Sequence, residues 1–118
     1  MKKYIDLHCH PFKEYFNNQD EIIQNSFEKG VEKMFVVGTE LAQKHKNVFP
    51  IIGIHPNDVW NEEIIEKLEQ LVDQNVVGIG EIGLDYHYDN TPSKEMQKKC
   101  FIKQIEIAKK NNKTIVIH

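Results

Sequence analysis

The sequence predicts an α/β fold built on a parallel sheet, and two observations predict it. Short runs rich in Val and Ile recur along the chain, and the stretches between them carry apolar residues at helical spacing. No Pro/Gly/Ser-rich linker, internal repeat or low-complexity tract breaks this rhythm, so the 118 residues form one domain or part of one.

The elements follow in order. Lys3-Tyr4-Ile5-Asp6-Leu7-His8-Cys9 alternates at period two until Pro11 stops it, which predicts a first strand. Asp20 is the expected cap of a helix with the stripe Ile22, Ile23, Ser26 and Phe27, ended by Gly30. Lys33 to Val37 is a second strand. From Gly38 to Val48 there is room only for a very short helix, because a crossover usually takes a dozen or more residues. Val48 to Ile54 is a third strand. Asn61 then caps a helix carrying Ile64, Ile65, Leu68, Leu71 and Val72. Val76 to Gly80 is a fourth strand. After a polar loop, Thr91-Pro92 is the expected start of a helix whose buried face is Met96, Phe101, Ile105 and Ala108, with Lys109 and Lys110 in its last turn. Thr114 to His118 is a fifth strand.

Parallel strands joined by right-handed helical crossovers make a (β/α) barrel the expected architecture. A closed eight-stranded barrel takes about 250 residues. The expectation is therefore the N-terminal portion of a TIM-type (β/α)8 barrel, about five β/α units, in a single incomplete domain over 1–118 that ends at the fifth strand.

Composition narrows the function classes. Lys+Arg 15 against Asp+Glu 18 gives a net charge of -3, and every basic residue is lysine, so no arginine fork is available for phosphate. Mild acidity argues against a surface built mainly to neutralise nucleic-acid backbones, while leaving room for a local metal site. No apolar run approaches the roughly 20 residues of a membrane span, and Met1-Lys2-Lys3 leads into no secretory apolar region, so the expected setting is the cytoplasm. Cys9 and Cys100 have no metal-type spacing and are expected to stay thiols.

The chemistry-bearing residues fall at strand ends. Asp6, His8 and His10 are two apart, so they project to one face. Two imidazoles there suit a metal ion; a solvated strand face is the alternative on this triplet alone. Glu81 follows Gly80 and His118 ends the fifth strand, and barrel enzymes place catalysis at the C-terminal ends of their strands. That joint placement favours a metal site of His8, His10, Glu81 and His118, in which a carboxylate can bridge two ions. His55, in Gly53-Ile54-His55-Pro56, is expected to contact substrate, with a loop histidine beside a proline turn as the alternative. Asp85 and Tyr86 are candidates for holding the ligands in place. Gly78-Ile79-Gly80-Glu81-Ile82-Gly83 matches a dinucleotide fingerprint but opens no helix, so nucleotide-cofactor binding is rejected. Cys9 points away from the histidines and into the core. Phe12, Tyr15 and Phe16 are either a base-stacking surface or a small apolar cluster under the loop.

With these residues placed, the chain resembles the TatD family of metal-dependent deoxyribonucleases, within the amidohydrolase-like metal barrels. Asp6-Leu7-His8-Cys9-His10 is similar to the family's opening D-x-H-x-H, and Gly53-Ile54-His55-Pro56 to its G-I-H-P segment. Gly80-Glu81-Ile82-Gly83-Leu84-Asp85-Tyr86 is similar to its G-E-I-G-L-D-Y hallmark, and Ile115-Val116-Ile117-His118 to the strand that ends in a ligand histidine. The resemblance implies two divalent ions, Mg, Mn or Zn. His8 and His10 would bind the first, His118 the second, and Glu81 would bridge as the catalytic carboxylate. It also implies hydrolysis of DNA phosphodiesters by a metal-activated water. The family's later histidine and aspartate have no counterpart in these residues. The expected partners are DNA, a complementary C-terminal half from another chain, and further copies recruited through exposed edge strands; no membrane is expected. An inactive remnant or a non-catalytic half-barrel assembly module are the alternatives.

Overall fold

The computed structural model describes residues Met1–His118. Its elements alternate throughout: β1 (Tyr4–Cys9), α1 (Gln19–Glu28), β2 (Val31–Val37), α2 (Glu40–Lys44), β3 (Val48–Ile52), α3 (Glu62–Leu71), β4 (Gly78–Ile82), α4 (Lys94–Lys110) and β5 (Thr114–Ile117). The strands are ordered β1-β2-β3-β4-β5, as in the sequence, and the recorded strand pairs are parallel. The α/β class with five parallel strands and intervening helices is the one expected. No helix is long and apolar enough to cross a membrane. Two compact units share the chain, Met1–Pro50 and Ile51–His118.

In the first unit, Ile23, Met34, Val36, Leu41 and Val48 form a buried core, with Cys9, Phe27 and Val31 packed against it. The register of β1 against β2 slips between Asp6 and Cys9: three residues of β1 run beside two of β2, from Asp6↔Met34 to Cys9↔Val36. Helix α1 is capped by Asn18, whose side chain accepts from the Glu21 N–H at 3.1 Å, not by Asp20. Asp20 sits inside the first turn and bonds His45 instead. The short helix predicted between β2 and β3 is the five-residue α2.

In the second unit, Ile52, Ile54, Trp60, Ile65, Leu68, Val76, Ile79, Ile82, Ile107 and Ala108 are core residues. Asn61 caps α3 as predicted, accepting from the Ile64 N–H at 2.9 Å. Only Ile65 and Leu68 of its stripe are buried, while Leu71 at the C-terminal end is 58 % exposed. Strand β4 both starts and ends two residues later than expected, and its end at Ile82 brings Glu81 into the strand. Ile79 and Ile82 are both fully buried in one core although they are three apart, which strict alternation forbids. The β4–β5 register shifts between Gly80 and Ile82, and that irregularity at Glu81 reconciles the two.

Helix α4 departs most from expectation. Ser93, not Thr91, is its cap, accepting from the Met96 N–H at 3.2 Å. Thr91 donates to the Tyr88 carbonyl in the preceding loop. The buried face is Gln97, Cys100, Gln104, Ile107 and Ala108, whereas Met96 is 38 % exposed. Apolarity alone misplaced the stripe, because two of its five positions are glutamines.

Candidate metal centre

The second unit gathers four predicted residues. Glu81 lies on β4, His118 directly after β5, His55 in the loop after β3, and Asp85 in the loop after β4. Close approach of β4 and β5 makes this possible: a Cβ on Gly80 would lie 2.6 Å from Val116 Cβ, so only glycine fits there. Gly83 likewise adopts φ +150 against the His118 backbone. The His118 N–H donates to the Ile82 carbonyl at 2.8 Å, extending the β4–β5 pairing to the last residue described. The peptide bond between Gly80 and Glu81 is cis.

His118 is held from both sides. Its Nδ1 lies 2.5 Å from Glu81 Oε1, and its Nε2 lies 2.9 Å from Asp85 Oδ2. Both carboxylate side chains are only 12 % exposed. The Glu81 carboxylate, and then that of Asp85, raise the His118 pKa above its ordinary value; desolvation opposes them. Asp85 is held below the usual carboxylate range, first by the N–H of His87, which donates to Oδ1 at 3.0 Å, and then by His118. Asn57 Nδ2 donates to Asp85 Oδ2 at 3.3 Å.

His55 stands against the same group, its ring 4.5 Å from that of His118 and its Nε2 3.8 Å from Glu81 Oε1. The Asn57 N–H donates to His55 Nδ1 at 3.1 Å. An accepting Nδ1 puts the proton of the neutral ring on Nε2, so His55 faces the cluster as a donor.

Donor atoms of His55, Glu81 and His118 lie within 4.8 Å of one another. The donor set suits a divalent ion: a carboxylate and an imidazole on neighbouring strands, with Asp85 placed to orient the imidazole. His118 must first give up the proton that it shares with Glu81. The hydrogen bond on His55 Nδ1 makes it the least suited of the three as a ligand.

His8 and His10 belong to the first unit, at the end of β1, with ring centroids 4.6 Å apart. Asp6 Oδ1 accepts from the His8 N–H at 3.2 Å. Beside His10 a cavity of about 210 Å³ is lined by Asp6, Cys9, Phe16, Ile22 and Met34 among others. Cys9 points into the core and donates weakly to the Phe35 carbonyl at 3.7 Å. Tyr86 is 45 % exposed, and Lys94 Nζ lies 4.8 Å above its ring. Asn57 was missed by sequence reasoning; its only signal was its place two residues after His55. The rejected dinucleotide fingerprint is indeed strand and loop, with the next helix opening only at Lys94.

Comparison with known proteins decides the family, since the model for TatD-related DNases matches residues 5–118. The chain belongs to the TatD-related DNase family. This TatD-family chain is 35% identical over 127 residues to the uncharacterized metal-dependent hydrolase YabD of Bacillus subtilis, covering 97% of the chain and 49% of YabD. It is 28% identical over 117 residues to the 3'-5' ssDNA/RNA exonuclease TatD of Shigella flexneri, covering 89% of the chain and 45% of that protein. The crystal structure of YjjV, a TatD homologue from Escherichia coli, superposes with a TM-score of 0.79 at 26% identity, covering 98% of the chain and 50% of YjjV. The chain thus spans about half the length of the relatives it matches, and its fold is that of half of a TatD barrel.

Proposed function

We propose that this TatD-family chain takes part in metal-dependent hydrolysis of DNA phosphodiesters, with His8, His10, Glu81 and His118 as metal ligands. The observation that carries this reading is the placement of the Glu81 and Asp85 carboxylates on either side of the His118 imidazole, at the C-terminal ends of two parallel strands. With a carboxylate at each ring nitrogen, the charged form of His118 is favoured where the family motifs expect a cation.

Each residue then has a task. Glu81 and His118 would hold an ion in place of the proton between them, and Asp85 would keep the His118 ring oriented by accepting from Nε2. His55 donates from Nε2 to a phosphate oxygen, a role suited to a ring whose Nδ1 is occupied by the Asn57 N–H. Bound divalent ions, Mg, Mn or Zn, supply Lewis acidity toward the phosphoryl group and acidify water. Tyr15, 71 % exposed and stacked on Phe12 at 6.4 Å, offers a base a sequence-tolerant platform. Two free cysteines accord with a reducing cytoplasm.

The test replaces the matching half of YabD with this chain and follows a 3'-labelled single-stranded DNA in Mn. The substrate is taken from the name of the Shigella relative. Cleavage is expected, abolished by EDTA and by Glu81→Gln, and slowed less by His55→Ala. A Glu81→Gln chimera that cleaves at the parent rate would refute the reading.

A further inference from the structure

Two of the most deeply buried side chains of the second unit are polar: Gln97 and Gln104 are 2 % and 1 % exposed. They stand seven residues, or about two turns, apart on the buried stripe of α4. An amide is costly there unless every polar atom is used, and an apolar residue would fill the same space without that cost. Both amides are used in the same way. Gln104 Oε1 accepts from the Ile54 N–H at 2.7 Å, and its Nε2 donates to the Ile54 carbonyl at 3.1 Å. Gln97 Oε1 accepts from the Asp85 N–H at 2.7 Å, and its Nε2 donates to the carbonyls of Asp85 at 2.8 Å and Pro92 at 3.0 Å.

Each glutamine therefore presents one residue with a donor and an acceptor, as a neighbouring strand would. The residues it serves lie just past the strands, where ladder pairing has ended: β3 stops at Ile52 and β4 at Ile82. Ile54 is the residue before His55. Asp85 is the partner of His118 Nε2.

We propose that Gln97 and Gln104 are positioning residues for the centre, each acting on a different side chain. Gln104 fixes the backbone from which His55 projects, and Gln97 fixes Asp85 so that its carboxylate meets His118. Helix α4 thereby carries the geometry of two loops on two amides, through backbone atoms and independently of loop sequence. The assignment rests on the metal reading above for its consequence, and on the contacts alone for its geometry.

The test compares Gln97→Met and Gln104→Met, which keep length and volume but lose every hydrogen bond of the amide, including that of Gln104 Nε2 to Cys100 Sγ at 3.3 Å. In the metal-free protein, long-range proton–nitrogen spectra of the histidine rings report each site separately. Gln97→Met should remove the hydrogen-bonded shift at His118 Nε2 and leave His55 as it was. Gln104→Met should move His55 from the Nε2–H form toward mixed tautomers and leave His118 as it was. A purely structural role would disturb both rings alike or neither, and either pattern would overturn the proposal. If the methionine variants fail to fold, amide exchange in the parent carries the test: the Asp85 and Ile54 N–H groups should exchange as slowly as those of the neighbouring strands, and rapid exchange at either would overturn the proposal. Zinc titration adds a second measure: Gln97→Met should bind about tenfold more weakly, the usual size of such an effect. Unchanged zinc affinity beside a zinc-binding parent would contradict the role of Gln97. A parent that takes up no zinc would instead sink the metal reading, and the ring spectra would still judge the glutamines.

Discussion

At the scale of residues, His118 is the most consequential group, because each of its ring nitrogens faces a carboxylate. A histidine whose folded pKa is raised stabilises the fold in full below its ordinary value of about 6.5 and loses that contribution as pH rises through the raised value. Urea unfolding in EDTA should therefore show stability falling above pH 6.5, and Glu81→Gln should flatten the fall, since Glu81 is the larger cause. A profile unchanged by Glu81→Gln would separate the two groups. The thiols make a second case. Burial pushes Cys9 up to about 12, aided by the charge of Asp6, and pushes Cys100 up to about 11. At pH 8 the thiolate fractions are then about one in ten thousand and about one in a thousand. A disulfide reagent at pH 8 should label neither thiol in native protein within minutes and both in urea. Rapid native labelling would mean that these thiols open to solvent.

At the scale of elements, helix starts were the hardest features to infer and are the easiest to test. Asn61 was legible because it is the one residue with a capping type of side chain between Trp60 and the apolar stripe that starts at Ile64. At α4 Thr91 and Ser93 both precede helical sequence, and Thr91-Pro92, the expected start, imitates an N-cap with Pro at N1. The choice falls to Ser93 because Gln97 Nε2 claims the Pro92 carbonyl and Thr91 bonds backward to Tyr88. Ser93→Ala should cost about 1 kcal/mol of stability by urea titration, and Thr91→Ala only a fraction of that. Equal losses would contradict the assignment of the cap. The same helix shows why part of the site was invisible. Glu81, His118, His55 and Asp85 carry chemistry in their side chains and could be picked out by type and place. Gln97 and Gln104 act through the backbone of other residues, so nothing in their own type or neighbours marks them. Their only sequence trace is negative, a buried stripe that reads as too polar. The register shift at Glu81 was equally hidden, because it depends on two strands at once.

At the scale of the whole molecule, the order of elements was legible because apolar runs and amphipathic stretches alternate along the chain, the short connection from Gly38 to Val48 being the one place without a readable stripe. Each compact unit closes its own core, one around Ile23 and Val36, the other around Ile79 and Ile82. A metal ion that binds the folded chain and not the unfolded one adds stability by mass action, whatever the individual contacts contribute. At a concentration about 100 times its dissociation constant the gain is about 2.7 kcal/mol. For a chain of this length that corresponds to a rise in Tm of about 10 °C. Thermal unfolding in Mn should show such a rise, reversed by EDTA and absent in Glu81→Gln. His118→Ala should also lose most of it, while Lys103→Ala, which removes only an exposed ion pair with Glu62, should keep it. A rise of equal size in Glu81→Gln would place the ion elsewhere on the molecule. A rise lost from Lys103→Ala as well would mean that Mn acts through general surface charge, and the centre at the ends of β4 and β5 would have no claim to it.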